Sequence, residues 1–226
     1  VPMDYCKAHG ITVYNAGGVY SAPMAEFVLG GILQLYKESK FFAENQAAHR
    51  WEKHRGLREL SGKTACIIGT GSVGSAIARR LRAFDVQTVG INRSGHPAAE
   101  FDQTQPTCRL DDVLPLADLV ICAMPLTAET AGLFDSVRLA KIKPGALFVN
   151  VARGKVTDQQ ALAEAVQSGQ LSGAVLDVFE EEPLPRSSPL WDMEQVILTP
   201  HNSFVGEHNG ERLFRLICKN LESFAQ

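Results

Sequence analysis

Cysteine is scarce and unpaired in this sequence. Cys6, Cys66, Cys108, Cys122 and Cys218 are odd in number, scattered over 226 residues, and include no C-x-x-C pair. That spacing argues against a disulfide frame or a thiolate metal site, and for reduced thiols in a cytoplasmic protein. An excess of either charge is also missing. Lys and Arg number 22 against 25 Asp and Glu, a formal net charge of -3, and no arm or helix is conspicuously basic. Nothing therefore favours nucleic acid or an anionic membrane as a partner. Long apolar runs are absent too: the longest, Phe27 to Leu35, is about half of what a membrane span requires. No charged start leads into an apolar run and a small-residue cleavage site, so nothing marks the chain for secretion. Finally, there is no initial Met. The chain begins at Val1 with a helix-like segment and a short strand pattern, Ile11 to Tyr14, and reads as an excerpt of a longer protein.

What is present is a regular alternation. Strand patterns fall at 65–68, 87–91, 119–122, 147–151, 173–178 and 196–198, with helical patterns at 75–84, 111–116, 137–142 and 159–168 between them. The strands are apolar throughout rather than at every second residue, as expected of strands covered on both faces. Strand and helix in turn predict a doubly wound α/β domain with a parallel sheet. Two further helices fit it less well. The segment 23–36 is apolar nearly all round, and 207–224 carries Leu213, Phe214, Ile217, Leu221 and Phe224 at helical spacing. Both need apolar cover, from another lobe or from a second copy in a homodimer.

Directly after the first strand stands Gly69-Thr70-Gly71-Ser72-Val73-Gly74, opening a helix. The first glycine permits a tight turn, the second lets backbone approach a pyrophosphate, and the third lets helix and strand pack closely. The helix start offers free N–H groups, here those of Ser72 and Val73, and a positive dipole end to phosphate. A dinucleotide is the expected ligand. The end of the second strand selects which one. Eighteen residues beyond Gly74, where a carboxylate would hold ribose hydroxyls, stands Asn92, followed by Arg93 and Ser94. Asn92 lifts the repulsion of a 2′-phosphate, Arg93 pairs with it and Ser94 donates to it, which favours NADP. NAD, with Arg93 stacked on the adenine, is the other reading these residues allow.

Three more segments complete the pattern: Ala117–Thr127 with Thr130, Lys143–Gly154, and Leu176–Pro183 followed by Leu198-Thr199-Pro200-His201. In content and order they resemble the D-isomer-specific 2-hydroxyacid dehydrogenase family, in particular its glyoxylate and hydroxypyruvate reductases. The resemblance implies a Rossmann domain over 22–204, with remnants of a flavodoxin-like substrate lobe in residues 1–21 and a helix returning to that lobe in 205–226. It implies that Arg153 binds the substrate carboxylate and 2-oxo oxygen, that His201 is the general acid and base, and that Glu182 hydrogen-bonds His201. It places Asp177 near the nicotinamide carboxamide, and Met124, Pro125, Thr130, Val151 and Ala152 along the cofactor. It implies a small 2-oxo acid as substrate and no metal.

The chemistry agrees with those roles. A planar guanidinium fits a carboxylate and polarises the adjacent carbonyl, and a histidine backed by a carboxylate gives and retakes a proton near neutral pH. Glutamate rather than glutamine at 182 argues for carbonyl reduction over the formate oxidation of a related branch. The chain also departs from its relatives. Ala123 replaces a histidine common among them, Cys66 replaces a glycine, and most of the small lobe is missing. Two other readings are compatible with the same motifs: a nucleotide-sensing corepressor, and a cofactor-binding scaffold without activity.

Overall fold

The computed structural model describes residues 1–224. Its helices and strands run in chain order as α1 (Met3–Ala8), α2 (Ser21–Tyr36), α3 (Ser39–Ala47), β1 (Thr64–Ile68), α4 (Ser72–Arg82), β2 (Gln87–Asn92), β3 (Gln103–Pro106), α5 (Leu110–Val113), β4 (Leu119–Cys122), α6 (Ser136–Leu139), β5 (Ala146–Asn150), α7 (Gln159–Gln167), β6 (Leu171–Leu176), β7 (Val196–Leu198) and α8 (Asn209–Phe224). The strands form one sheet in the order β3-β2-β1-β4-β5-β6-β7, and every pairing is parallel. This is the doubly wound Rossmann arrangement expected from the sequence. The order reverses between β1 and β4, so a crevice opens above their carboxyl ends, where such sheets bind ligands.

Continuous apolar sequence corresponds to burial on both faces. β4 and β5 are buried at every residue, and β1 from Ala65 onward. One face packs Phe148, Val120 and Leu176 against α5, α6 and α7; the other packs Ile67, Ile121 and Val149 against α2 and α4. β3 escaped prediction because Gln103-Thr104-Gln105-Pro106 is polar: it is an edge strand with no residue fully buried. α3 escaped as well, its apolar content being confined to Phe41, Phe42 and a few alanines. The strand expected at Ile11–Tyr14 does not form. That stretch is exposed and finds no strand to pair with among the described residues, and its Ile11 N–H donates instead to the Cys6 carbonyl at 2.8 Å.

The two problematic helices behave differently. α2 buries Ala25, Val28, Ile32 and Tyr36 against α4 and β6, while Phe27, Leu29, Leu33 and Leu35 stay half-covered. In α8 the apolar stripe is bare: Phe214 is 66% and Leu221 63% exposed. The side chain of Phe224, counted in that stripe from the sequence, lies outside the described residues. No helix among the described residues is long and apolar enough to cross a membrane.

α2 approaches the sheet most closely at Gly31, where an added Cβ would stand 2.6 Å from Cγ1 of Val175. Gly31→Ala should therefore destabilise by about 1–3 kcal/mol through overpacking, although the same change in an open helix interior gains up to about 1 kcal/mol. Urea midpoints give the sign. Adding Val175→Ala should restore most of the loss, and a stabilised Gly31→Ala single variant would contradict the close packing.

Candidate active site

The glycine turn is built as its spacing predicts. Gly69 has φ +103, and a Cβ there would meet the Ala123 carbonyl oxygen at 2.6 Å. A Cβ on Gly74 would fall 1.9 Å from the Gly69 oxygen, so β1 and α4 can cross here only without side chains. Gly71 instead faces open space. It caps α4, and the N–H groups of Ser72 and Val73 at the helix start have no carbonyl partner within the helix. Open room beside unsatisfied donors at a positive helix end is what a pyrophosphate needs, so these residues fit a dinucleotide.

Beside this turn lies a groove of about 370 Å³, lined by Val73 of α4, by Met124 and Pro125 after β4, and by Val151, Ala152 and Arg153 after β5. Met24 of α2 also lines it; nothing in its sequence context announced that place. Thr130 holds one wall together rather than standing bare in the groove. Its hydroxyl donates to the Pro125 carbonyl at 2.8 Å and accepts from the Thr127 N–H at 2.7 Å.

Arg153 leaves the sheet at the end of β5. Asn150, buried in the last strand position, fixes that exit: its Oδ1 accepts from the Ala152 N–H at 3.0 Å and its Nδ2 donates to the Arg153 carbonyl at 3.1 Å. Asn150 was overlooked as a positioning residue, yet a lone amide closing the run Leu147-Phe148-Val149 was the visible signal. Gly154 does the rest. A Cβ there would lie 1.8 Å from the Phe179 carbonyl, so only glycine lets the Arg153 turn lie directly on the loop that follows β6.

That loop carries Glu182. Its Oε1 accepts from the Phe179 N–H at 3.0 Å, and its Oε2 stands 2.9 Å from His201 Nδ1. Burial pushes the Glu182 carboxyl up, but the bonds from His201 and Phe179 and the nearby charges of His201 and Arg153 outweigh it and hold the group below the usual range. One carboxylate thus ties together the segments that follow β6 and β7, while Arg153 Nη1 donates to the Ala152 carbonyl at 2.6 Å. Nδ1 of His201 is committed to Glu182, and Nε2 is left without a hydrogen-bond partner among the described residues. His201 itself has φ +51, a left-handed conformation that costs a non-glycine residue roughly 1–2 kcal/mol.

Asp177 explains how that conformation persists. It is fully buried, and its Oδ1 accepts from the Thr199 hydroxyl at 2.6 Å and from the Asn202 N–H at 2.7 Å, while Oδ2 accepts from the Ser203 N–H at 2.9 Å. Its carbonyl accepts from the His201 N–H at 2.9 Å. Beyond the cofactor contact expected of it, Asp177 thus anchors the His201 loop. Asn92 likewise has work the sequence did not suggest. Its Nδ2 donates to Thr70 Oγ1 and to the His96 carbonyl, and its Oδ1 accepts from the N–H groups of Ser94 and Gly95. Asn92 therefore shapes the loop, while Arg93 and Ser94 stand exposed on it. No group of three or more His, Cys, Asp or Glu side chains gathers to hold a metal among the described residues.

Residues 29–203 match the family model described as D-isomer specific 2-hydroxyacid dehydrogenase, NAD binding domain. The chain belongs to the D-isomer-specific 2-hydroxyacid dehydrogenase family. It is 41% identical to glyoxylate reductase of Pyrococcus furiosus, an alignment that covers 99% of this chain and 69% of that protein. It is 37% identical to D-3-phosphoglycerate dehydrogenase of Mycobacterium leprae, covering 89% of this chain but only 38% of that protein. Its fold superposes with a TM-score of 0.80 on an NADPH-dependent glyoxylate/hydroxypyruvate reductase from Sinorhizobium meliloti solved with NADP and sulfate. The two are 29% identical, and the match covers 92% of this chain and 66% of that one. The chain therefore spans between about two fifths and seven tenths of these dehydrogenases.

Because the Glu182 carboxyl is depressed, its contribution to stability is present above its ordinary value of 4.5 and is lost as pH falls through the lower folded value. Wild type should exceed Glu182→Gln in stability at neutral pH, and the gap should close as the solution is acidified below about 4.5. Denaturant midpoints at several pH values measure it; a gap that is constant with pH would count against the coupling.

Proposed function

We propose that this chain is the cofactor-binding part of an oxidoreductase that transfers a hydride between NADPH and a small 2-oxo acid or D-2-hydroxy acid. The observation that carries the reading is the 2.9 Å contact between His201 and Glu182, with Arg153 lining the neighbouring groove. In this reading a bound nicotinamide supplies or accepts the hydride at the substrate's C2. Arg153 pairs with the substrate carboxylate through parallel N–H donors and polarises the 2-oxo oxygen. His201 gives a proton from Nε2 to that oxygen during reduction and takes it back in the reverse direction. Glu182 stays ionised and accepts from Nδ1–H, which leaves Nε2 as the nitrogen that exchanges the proton. Asp177, buried and fully occupied by Thr199, Asn202 and Ser203, keeps the histidine loop at its height above the sheet. Glyoxylate and hydroxypyruvate are the substrates of choice, supported by the names of the Pyrococcus and Sinorhizobium relatives.

NADP is preferred over NAD because no carboxylate stands at the end of β2 and Arg93 and Ser94 are exposed there. The cofactor bound to the Sinorhizobium relative supports the same preference. Residues 1–21 and 205–226 belong with the substrate lobe. In support, Gly10, Thr12 and Tyr14 line one hollow with Ile217 and Leu221, beside the bare stripe of α8. The protein acts in the cytoplasm as a homodimer. The half-covered face of α2 and Trp51, which is 96% exposed, favour a second copy as cover.

His201→Ala should lower kcat with glyoxylate or hydroxypyruvate by about 100- to 10,000-fold while leaving NADPH affinity nearly unchanged. Loss of nicotinamide absorbance on the intact protein gives the rate, and calorimetry gives the affinity. Equal rates for variant and wild type would end the catalytic assignment. For the assembly, light scattering should return twice the chain mass, and a monomer mass would contradict the dimer.

A further inference from the structure

Methionine is rare in this chain, with four in 226 residues, and two of them, Met24 and Met124, line the groove beside the glycine turn. They differ in access: Met124 is 7% exposed, whereas Met24 is only half-buried. Met24 stands in the first turn of α2 between Pro23 and Ala25, both buried, so the helix is fixed there and the Met24 side chain forms part of the groove wall. That wall is apolar around it, with Val73, Ala123 and Val151 as neighbours. Met24, Val73 and Ala123 all rest on the core cluster beneath α2 and α4. Among the described residues no cysteine lines this groove, so its sulfur is methionine sulfur. Arg153 lines it too, which makes this the end where the proposed function puts the nicotinamide.

We propose that Met24 is a modification site, at which a peroxide converts the thioether to the sulfoxide and so weakens dinucleotide binding at the nicotinamide end. Hydrogen peroxide transfers one oxygen to sulfur. An S–O bond forms as the O–O bond breaks, sulfur is oxidised by two electrons, and the other oxygen leaves as water with both protons. The product is polar where the thioether was apolar. A ring closing on this wall would bury the sulfoxide oxygen among side chains of Val73, Ala123 and Val151, which have no N–H or O–H to offer it. A bound cofactor covers the same wall and shields the sulfur. Occupancy and oxidation therefore oppose each other: the empty groove is sensitive and the filled one is protected. The inference rests on this groove as the seat of the nicotinamide end of the cofactor.

The test treats the whole chain with hydrogen peroxide, reads sulfoxide at each methionine by peptide mass spectrometry, and titrates NADP and AMP calorimetrically. NADP is the oxidised cofactor and does not consume the peroxide; AMP fills the adenosine end alone. Met3, 58% exposed and outside the groove, is the internal reference. Sulfoxide should form at Met3 and Met24 before Met124. NADP should then bind about two- to thirtyfold more weakly, the range for burying a polar group that finds partial compensation, while AMP affinity stays as it was. Saturating NADP should protect Met24 and leave Met3 unprotected. Met24→Leu keeps an apolar side chain of similar volume, and its NADP affinity should not respond to peroxide. Full sulfoxide at Met24 with unchanged NADP affinity would overturn the inference, as would a loss undiminished in Met24→Leu, which would lie with Met124 or a thiol. Should the untreated chain bind NADP no more tightly than AMP, the seat of the nicotinamide falls and the inference with it, a result distinct from tight NADP binding that is indifferent to peroxide.

Discussion

A buried carboxylate with no room for error organises the reactive end of this molecule. Asp177 lies fully buried directly after β6, where an unpartnered charge would cost several kcal/mol. It is tolerated because a hydroxyl and two backbone N–H groups, all from the four residues after Leu198 and the residue that follows them, converge on its two oxygens. With those bonds made, the chain passes through a left-handed turn at His201. The strain of that turn is small against the desolvation it avoids. The imidazole is therefore placed by backbone bonds to a neighbouring strand, and Glu182 only needs to orient the ring.

The same economy recurs along the carboxyl edge of the sheet. Asn150 ends β5 and bonds the next turn; Asn92 ends β2 and bonds the next turn; Asp177 directly follows β6 and bonds the turn after β7. Each is a short polar side chain closing an apolar strand. A strand buried on both faces cannot carry such a residue internally without a partner, but at its last position the following loop supplies the partner. The loop is ordered in return. A parallel sheet thus presents several fixed loops on one side, and the glycines at 69, 74 and 154 let those loops touch without intervening side chains.

This division of labour explains what could be seen in the sequence. The sheet core was legible because Leu119-Val120-Ile121-Cys122 or Leu147-Phe148-Val149 have one stable environment. Arg153, Glu182 and His201 could be singled out through order and neighbouring motif, and the structure brings Glu182 to His201, while Arg153 lines the groove beside the glycine turn. β3 was not legible, since an edge strand of Gln, Thr and Pro has no period to read. The Ile11–Tyr14 pattern misled for the opposite reason: a good strand pattern forms no strand unless a partner edge is within reach. The structural roles of Asn92 and Asp177 were hidden because a motif assigns a position a ligand, while local geometry assigns it the hydrogen bonds it needs first.

Arg153 after β5 and Arg93 after β2 are both exposed, and neither is locked in an ion pair among the described residues. Such a placement is informative in itself. A guanidinium left in water keeps its hydration and costs the fold little, whereas one buried against a carboxylate would be locked and unable to exchange partners. An exposed cation beside a distant carboxylate can release water and take a stronger, bidentate anion when one arrives. In the function proposed above, that anion is a substrate carboxylate at Arg153 and a phosphate at Arg93, and a ligand that spans the glycine turn would bring its reactive ring to His201.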